Sequence, residues 1–166
     1  LLKQNILPNA VSGILNKIEI MKLIQTCLEL HKQKIAQGSK IYSVEQKIEG
    51  KIKTISGELE IKGKIDRLDI NADNTYSIID YKTGKFTDSD NFFDFGKRLQ
   101  LGIYATLLED ELNLKSIQYW YFNNPEELII EEEVTDEFIN NVKEIVDDIT
   151  SIVISGVVAP RNYSIE

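Results

Sequence analysis

The sequence contains a single cysteine and a single histidine among its 166 residues, so two residue types that often organise small folds are nearly absent. One thiol excludes an internal disulfide framework. Cys27 lies in a helical apolar pattern, which is typical of a buried thiol. We therefore expect a reducing, cytoplasmic (intracellular) setting.

Long apolar runs are also missing. No stretch is long enough to cross a bilayer and no signal-peptide pattern opens the chain, so we expect no membrane partner. Hydrophobic residues still make up 42% of the sequence, enough for a substantial core without disulfides. Because the chain begins at Leu1 rather than at a methionine, we expect residues 1–166 to be one domain excised from a larger protein.

Hydrophobic periodicity predicts an α/β fold with the element order αβββαβ plus additions. We expect a helical segment over residues 1–38, as one long helix or two shorter ones, and a closing helix over 135–155. Thr135 is the expected N-cap of that helix and Gly156 lies just past its end. The sheet and site core over 41–134 is predicted to contain strands at 41–54, 57–70 and 75–82, a helix at 91–112, and strands at 116–123 and 128–134.

The most informative residues lie on two adjacent predicted strands, in G-K-I-D-R-L-D and S-I-I-D-Y-K-T-G. Alternation along a strand puts Asp80 and Lys82 on one face. The turn-forming residues at 71–74 predict a hairpin that brings Asp66 next to Asp80. Two such carboxylates repel each other, and Mg²⁺ or Mn²⁺ relieves that repulsion with oxygen ligands. The pattern indicates metal-assisted phosphodiester hydrolysis, with Lys82 orienting or deprotonating the attacking water.

Three other acid-x-Lys triplets occur in the chain, and they show that the triplet alone carries little information. They begin at Glu45, Glu49 and Glu60, where charges alternate with apolar residues. We interpret these three as solvated strand faces. The triplet at Asp80 differs because it ends an apolar strand and follows the Gly63-x-x-Asp66 segment.

Together with Q-L-G-I-Y at residues 100–104, these motifs resemble in order and spacing the nuclease domain of the RecB and AddB type, within the PD-(D/E)xK superfamily. The resemblance covers residues 45–104 and implies a restriction-endonuclease-like mixed α+β sheet with an N-terminal helical segment and a C-terminal helix. The site residues that it implies are the metal ligands Asp66 and Asp80, the catalytic Lys82, and Gln100 and Tyr104 bordering the site.

The resemblance further implies a metal-dependent DNA nuclease, expected to be an exonuclease, that acts in recombination or repair beside a helicase subunit or domain. Such an enzyme grips DNA backbone and ends without reading sequence. The implied cofactor is Mg²⁺ or Mn²⁺. Two alternatives stay open: a catalytically incomplete nuclease-fold module for DNA binding or assembly, and an RNA-directed or endonucleolytic phosphodiesterase.

The helix that carries the last motif is supported by its own periodicity. Its apolar residues recur at helical spacing and are expected to pack on the sheet: Phe92, Phe95, Leu99 and Ile103. Gln100 and Tyr104 are one turn apart, so they project together from another part of the helix. There they could contact a phosphate backbone or steady Lys82.

Other candidate residues admit more than one interpretation. Glu45 occupies a place where family members often have a glutamate, so it is either a supporting carboxylate at the metal or an exposed strand residue. Many RecB-type domains have a metal-binding histidine upstream, but His31 continues an apolar stripe, which favours a packed histidine over a ligand. Arg67 and Asp69 are interpreted as an ion pair or a phosphate contact.

Charge is distributed unevenly along the chain. A net charge of −8 is unusual for an independent DNA binder, because phosphate neutralisation dominates affinity. Residues 126–148 hold ten acids and only Lys143, whereas residues 32–67 hold nine bases against five acids. We expect the acidic region to face away from DNA and the basic half to adjoin the site.

Overall fold

The computed structural model describes residues 6–84, 99–122 and 129–156, with side chains from Lys17 onward except that of Glu19. Eight elements follow one another: α1 (Ile6–Ala36), β1 (Lys40–Lys53), β2 (Glu58–Ile70), β3 (Tyr76–Lys82), α2 (Leu99–Leu108), β4 (Leu114–Tyr121), β5 (Ile129–Glu133) and α3 (Asp136–Ser155). The predicted strand positions agree with these bounds to within two residues at each end that is described. The expected turn at Asn124-Pro125 and the tail from Val157 lie outside the described residues.

The strands form one mixed sheet in the spatial order β1-β2-β3-β4-β5. β3 and β4 are parallel, and every other neighbouring pair is antiparallel. A parallel pair needs a crossover connection, and α2 lies on that connection. The predicted α/β class and αβββαβ order, with a helix before and a helix after the sheet, are confirmed.

Two helices cover one face of the sheet. α2 and α3 pack there on a cluster that includes Leu68, Ile78 and Ile117 from the strands. Gly102 lets them approach closely, since a Cβ at that position would lie 2.8 Å from Cγ2 of Val142. This packing fixes α2, and therefore the Gln100 and Tyr104 side chains, relative to β2 and β3.

The ends of α3 agree with the sequence prediction. The Thr135 hydroxyl accepts a hydrogen bond from the Phe138 amide at 3.1 Å, as an N-cap does. Gly156 has φ 66° and its amide donates to the Val153 carbonyl, a left-handed cap that glycine adopts without strain. The predicted start of α2 at residue 91 lies outside the described residues, and so do Phe92 and Phe95; its end comes at Leu108 rather than at 112.

The opposite face of the sheet carries α1, which is one long helix rather than two in the described range. Leu30 is buried there against Ile79 and Trp120. Cys27 is only half-buried, so the expectation of a buried thiol is wrong for this residue. No helix in the described ranges is both long and apolar enough to span a membrane.

The hairpin of β1 and β2 extends beyond the other strands and confirms the solvated interpretation of the three acid-x-Lys triplets. Its outward residues are exposed lysines and glutamates. Lys51 pairs with Glu58 at 2.6 Å, and Lys62 pairs with Glu49 at 3.3 Å and Glu60 at 3.1 Å. These triplets therefore carry surface ion pairs, not a buried site.

Candidate active site

Asp66 and Asp80 come together where the ladder between β2 and β3 ends. Arg67 and Ile79 form the last pair of that ladder, and the two aspartates are the next residues beyond it on each strand. The Asp66 carboxylate continues the connection, because its Oδ2 accepts a hydrogen bond from the Tyr81 amide at 3.1 Å. The predicted hairpin therefore brings the two carboxylates side by side.

Asp80 and Lys82 share one face of β3, as strand alternation predicts. Lys82 Nζ lies 2.7 Å from Asp80 Oδ2, while Ile79 and Tyr81 face the α1 side of the sheet. Lys82 also lies over the Tyr119 ring on the neighbouring strand, with Nζ 5.2 Å from the ring centroid. The lysine is partly exposed, so its ammonium is held at the rim of the site rather than sealed inside it.

One oxygen of Asp80 is buried without a well-aligned hydrogen bond. Asp80 is only 8% exposed. Among the described residues its Oδ2 is the one buried side-chain polar atom without a well-aligned hydrogen bond, and its close partner is Lys82 Nζ at 2.7 Å. A carboxylate oxygen can take more than one contact, so Oδ2 has room for a cation beside Lys82.

The charges and the burial around Asp80 also favour a bound cation. Burial raises the pKa of Asp80, the neighbouring charge of Asp66 raises it further, and Lys82 acts in the opposite direction. Burial is the largest of these effects, so the ionised form of Asp80 lacks solvation that Lys82 only partly replaces. A cation beside the two carboxylates would stabilise their ionised forms.

The carboxylate pair fits a magnesium-like ion. Among the described residues, no group of three or more histidine, cysteine, aspartate or glutamate side chains could hold a metal. Mg²⁺, however, is usually bound by one or two carboxylates and completes its shell with water and substrate phosphates. Asp66 and Asp80, with the unsatisfied oxygen of Asp80, match that donor set.

Tyr104 and Gln100 meet β2 just before Asp66. The Tyr104 hydroxyl accepts hydrogen bonds from Gln100 Nε2 at 3.2 Å and from the Lys64 amide at 3.4 Å. Tyr104 is buried, whereas Gln100 is exposed. The predicted pairing of these two side chains is present, and it contacts the strand beside Asp66; no contact with Lys82 is seen in the described residues.

Gly63 is a site residue whose role the sequence prediction missed. A Cβ at this position would lie 2.6 Å from Cζ of Tyr104 and nearer still to the hydroxyl oxygen. The glycine therefore makes room for the phenol. An isolated glycine inside a strand is a known signal of such a close approach, and it was available in the sequence.

Glu45 lies opposite Asp66 on β1, between the Val44–Arg67 and Gln46–Ile65 pairs. Its φ of 52° is left-handed, which is uncommon for a residue other than glycine. Its carboxylate forms an ion pair with Lys64 Nζ. Both groups are exposed, so Glu45 is placed beside the candidate site, but its partner is a lysine.

Arg67 and Asp69 form a buried structural pair on the other face of the sheet. Arg67 donates from Nε and Nη2 to the two Asp69 oxygens, at 2.6 and 2.7 Å, and both residues are at most 3% exposed. Arg67 Nη1 also lies 3.0 Å from His31 Nδ1 and must donate, because a guanidinium has no acceptor. Of the two earlier interpretations of this pair, burial supports the ion pair rather than a phosphate contact, and His31 projects from α1 onto the sheet.

The family model of the PD-(D/E)XK nuclease superfamily matches residues 7–163, nearly the whole chain. The chain belongs to this superfamily. Its members are nucleases that usually depend on divalent metals such as Mg²⁺ or Mn²⁺, and nucleic acid is their partner. The two carboxylates and the lysine described above lie inside the matched range.

Curated sequences and solved structures add two findings. No curated protein sequence matches this superfamily member. Among solved structures, it is similar to the crystal structure of SSO0001, with 18% sequence identity and a TM-score of 0.48, over 92% of this chain and 67% of the other.

Proposed function

We propose that this PD-(D/E)XK superfamily member is a metal-dependent DNA nuclease of the RecB and AddB type. In this proposal it hydrolyses phosphodiester bonds from DNA ends during recombination or repair and works beside a helicase subunit or domain. The observation that carries the hydrolytic part is the junction of Asp66, Asp80 and Lys82 at one edge of the sheet, with an unsatisfied buried oxygen on Asp80. DNA, end-directed cleavage and the helicase are supported by the resemblance of the motifs.

In this proposal, Asp66 and Asp80 hold the Mg²⁺ or Mn²⁺ ion through their carboxylate oxygens. When bound there, the ion would supply Lewis-acid chemistry, polarising a phosphoryl oxygen and making water a better nucleophile. Lys82, with its ammonium at the rim of the site, orients the attacking water and offsets negative charge that builds on the phosphate. Its contact with the Tyr119 ring and with Asp80 restrains the ammonium before substrate arrives.

Tyr104 and Gln100 act as positioning residues. The Tyr104 hydroxyl accepts from both the Lys64 amide and Gln100, so its own proton is free to donate toward the phosphate backbone or a water. The same hydroxyl fixes β2 two residues before Asp66. The second effect keeps the Asp66 carboxylate in register with Asp80.

The test is a cleavage assay with end-labelled linear single-stranded and double-stranded DNA, covalently closed circles and RNA, each with Mg²⁺, Mn²⁺ or EDTA. We expect metal-dependent loss of linear DNA only, abolished by Lys82→Ala. The matched control is Lys115→Ala, which removes another ion-paired lysine that bonds Asp73 at the opposite end of the sheet. That variant should cleave like the parent.

Each other result changes the proposal in a defined way. Nicked circles would make the enzyme an endonuclease, and cleavage of RNA would change the substrate. No cleavage with any metal, by a folded protein that still binds DNA, would favour the catalytically incomplete binding module. Equal loss of activity in the two lysine variants would remove the specific role assigned to Lys82.

A further inference from the structure

Lys64 is a second lysine beside the carboxylates, and the catalytic roles proposed above leave it unused. It precedes Asp66 by two residues on β2, so their Cα atoms lie roughly 6–7 Å apart along the strand. Its side chain is half exposed. The Tyr104 hydroxyl holds its amide, which fixes the origin of the side chain next to the site.

In the free protein, the Lys64 ammonium is occupied by a carboxylate rather than left in solvent. Glu45 Oε2 accepts from Lys64 Nζ, and Glu45 reaches this position with a left-handed backbone. That conformation is unfavourable for a glutamate unless its surroundings impose it. An exposed ion pair of this kind contributes little stability, so a phosphate can replace the glutamate at small cost.

The local charges permit that exchange once a divalent cation is bound. The carboxylates of Asp66, Asp80 and Glu45 lie around two ammonium groups, those of Lys82 and Lys64, so a doubly charged cation would make the whole group positive. A substrate strand brings further negative charge, and a phosphate next to the scissile one needs a cation outside the metal site. Lysine serves that purpose as a flexible point charge.

We propose that Lys64 binds the phosphate adjacent to the scissile phosphate, and that Glu45 holds the Lys64 ammonium in place until the strand arrives. This inference rests on the proposed nuclease function and adds a substrate contact to it. Lys64 is then a substrate-positioning residue, and Glu45 is its competitor for the same ammonium.

Lys62 provides a matched control on the same strand. It is exposed like Lys64 and forms ion pairs with Glu49 and Glu60, but it lies four residues from Asp66 instead of two. Removing either lysine deletes one positive charge and one surface ion pair. Only Lys64 lies close enough to reach a strand held at the carboxylates.

The experiment measures binding of single-stranded DNA with Mg²⁺ in a Lys82→Ala background, so that the strand is not cut, over a series of salt concentrations. For Lys64→Gln we expect weaker binding and a slope of log K against log salt that is smaller by about 0.7, the value of one phosphate contact. Lys64→Arg should restore the slope. Lys62→Gln should leave it unchanged, and Glu45→Gln should tighten binding several-fold.

Cleavage by the same variants with Lys82 intact gives an independent readout. Lys64→Gln should raise KM about tenfold while kcat changes little, as expected when one ground-state contact is lost. Equal salt slopes for Lys64→Gln and Lys62→Gln, in a protein that binds and cleaves DNA, would overturn the role of Lys64 and leave the nuclease intact. A parent protein that neither binds nor cleaves DNA would overturn both.

Discussion

The Tyr104 side chain occupies the space that any side chain at residue 63 would need. A Cβ on Gly63 would lie 2.6 Å from Cζ and 2.7 Å from Cε1 of the tyrosine ring. The glycine of the G-x-x-D motif and the tyrosine of the Q-x-x-x-Y motif are therefore two halves of one contact. That contact positions β2 just before Asp66 and couples the two motifs physically.

Gly63→Ala should damage both stability and activity. Because Tyr104 is buried, its ring can move away only by disturbing the core, and overpacking of this kind costs about 1–3 kcal/mol. Displacement of β2 also shifts Asp66, so cleavage should fall by more than the loss of folded protein explains. Thermal unfolding and kcat/KM measured on the same preparation test both expectations.

Two controls isolate the contact. Gly84→Ala should change stability by less than about 0.5 kcal/mol, because no atom lies within 4 Å of a Cβ there. In a Tyr104→Leu background, the cost of Gly63→Ala should shrink, since the ring that it meets is gone. An unchanged cost in that background would show that Tyr104 is not the obstacle.

The two aspartates of D-R-L-D should respond differently to amide substitution. Asp66→Asn should weaken metal binding and cleavage with little change in stability, since the carboxylate lies at the open end of the ladder. Asp69→Asn should unfold the protein more readily, by about 3–5 kcal/mol, because it leaves buried Arg67 without its anion. Chemical denaturation and metal titration of both variants separate the two roles.

Much of the fold and of the candidate site could be predicted from the sequence. Alternation of side chains placed Asp80 and Lys82 on one face, and the turn at residues 71–74 paired their strand with β2. Both inferences depend only on local backbone geometry, which short-range sequence patterns specify. The cap at Thr135 and the glycine after α3 belong to the same class.

Features that depend on contacts between distant parts of the chain could not be predicted. Regular alternation fails between Ile65 and Leu68, since both pack in the cluster under α2 and α3. This irregularity includes Asp66 and lies opposite the left-handed Glu45. The pairing of His31 with Arg67 likewise depends on how α1 crosses the sheet, and no local sequence pattern specifies that crossing.

His31→Ala should leave metal-dependent cleavage within about twofold of the parent. The imidazole accepts from Arg67 on the α1 face of the sheet, and it belongs to no metal-binding group among the described residues. Its loss removes one hydrogen bond to a charged group, about 1.5–3 kcal/mol of stability. Activity at saturating Mn²⁺ and thermal unfolding are the measurements; a large rise in the Mn²⁺ requirement would instead make His31 a ligand.

Divalent metal should stabilise the folded protein, and the effect should disappear in Asp80→Asn. A ligand that binds only the folded state adds about 2.7 kcal/mol at one hundred times its Kd. Titration of Mg²⁺ or Mn²⁺ against the unfolding temperature measures this, with Lys115→Ala as a variant that should keep the full shift. A metal-induced shift that survives in Asp80→Asn would place the cation elsewhere.

The metal-induced stabilisation should also depend on pH in a direction that Asp80 sets. Burial raises the pKa of Asp80 in the folded, metal-free protein, so the stability that this carboxyl contributes is present below its unfolded pKa and is lost as pH rises through the folded pKa.

Protons and metal compete for the same oxygens of Asp80. Metal binding should therefore weaken on acidification at a higher pH than an ordinary aspartate would give, and the metal-induced shift should grow as pH rises to neutrality. Unfolding temperatures measured with metal and with EDTA across pH 4 to 7 give the metal-induced shift as a function of pH. A shift independent of pH over that range would mean that Asp80 is already fully ionised without the metal, against the burial that raises its pKa.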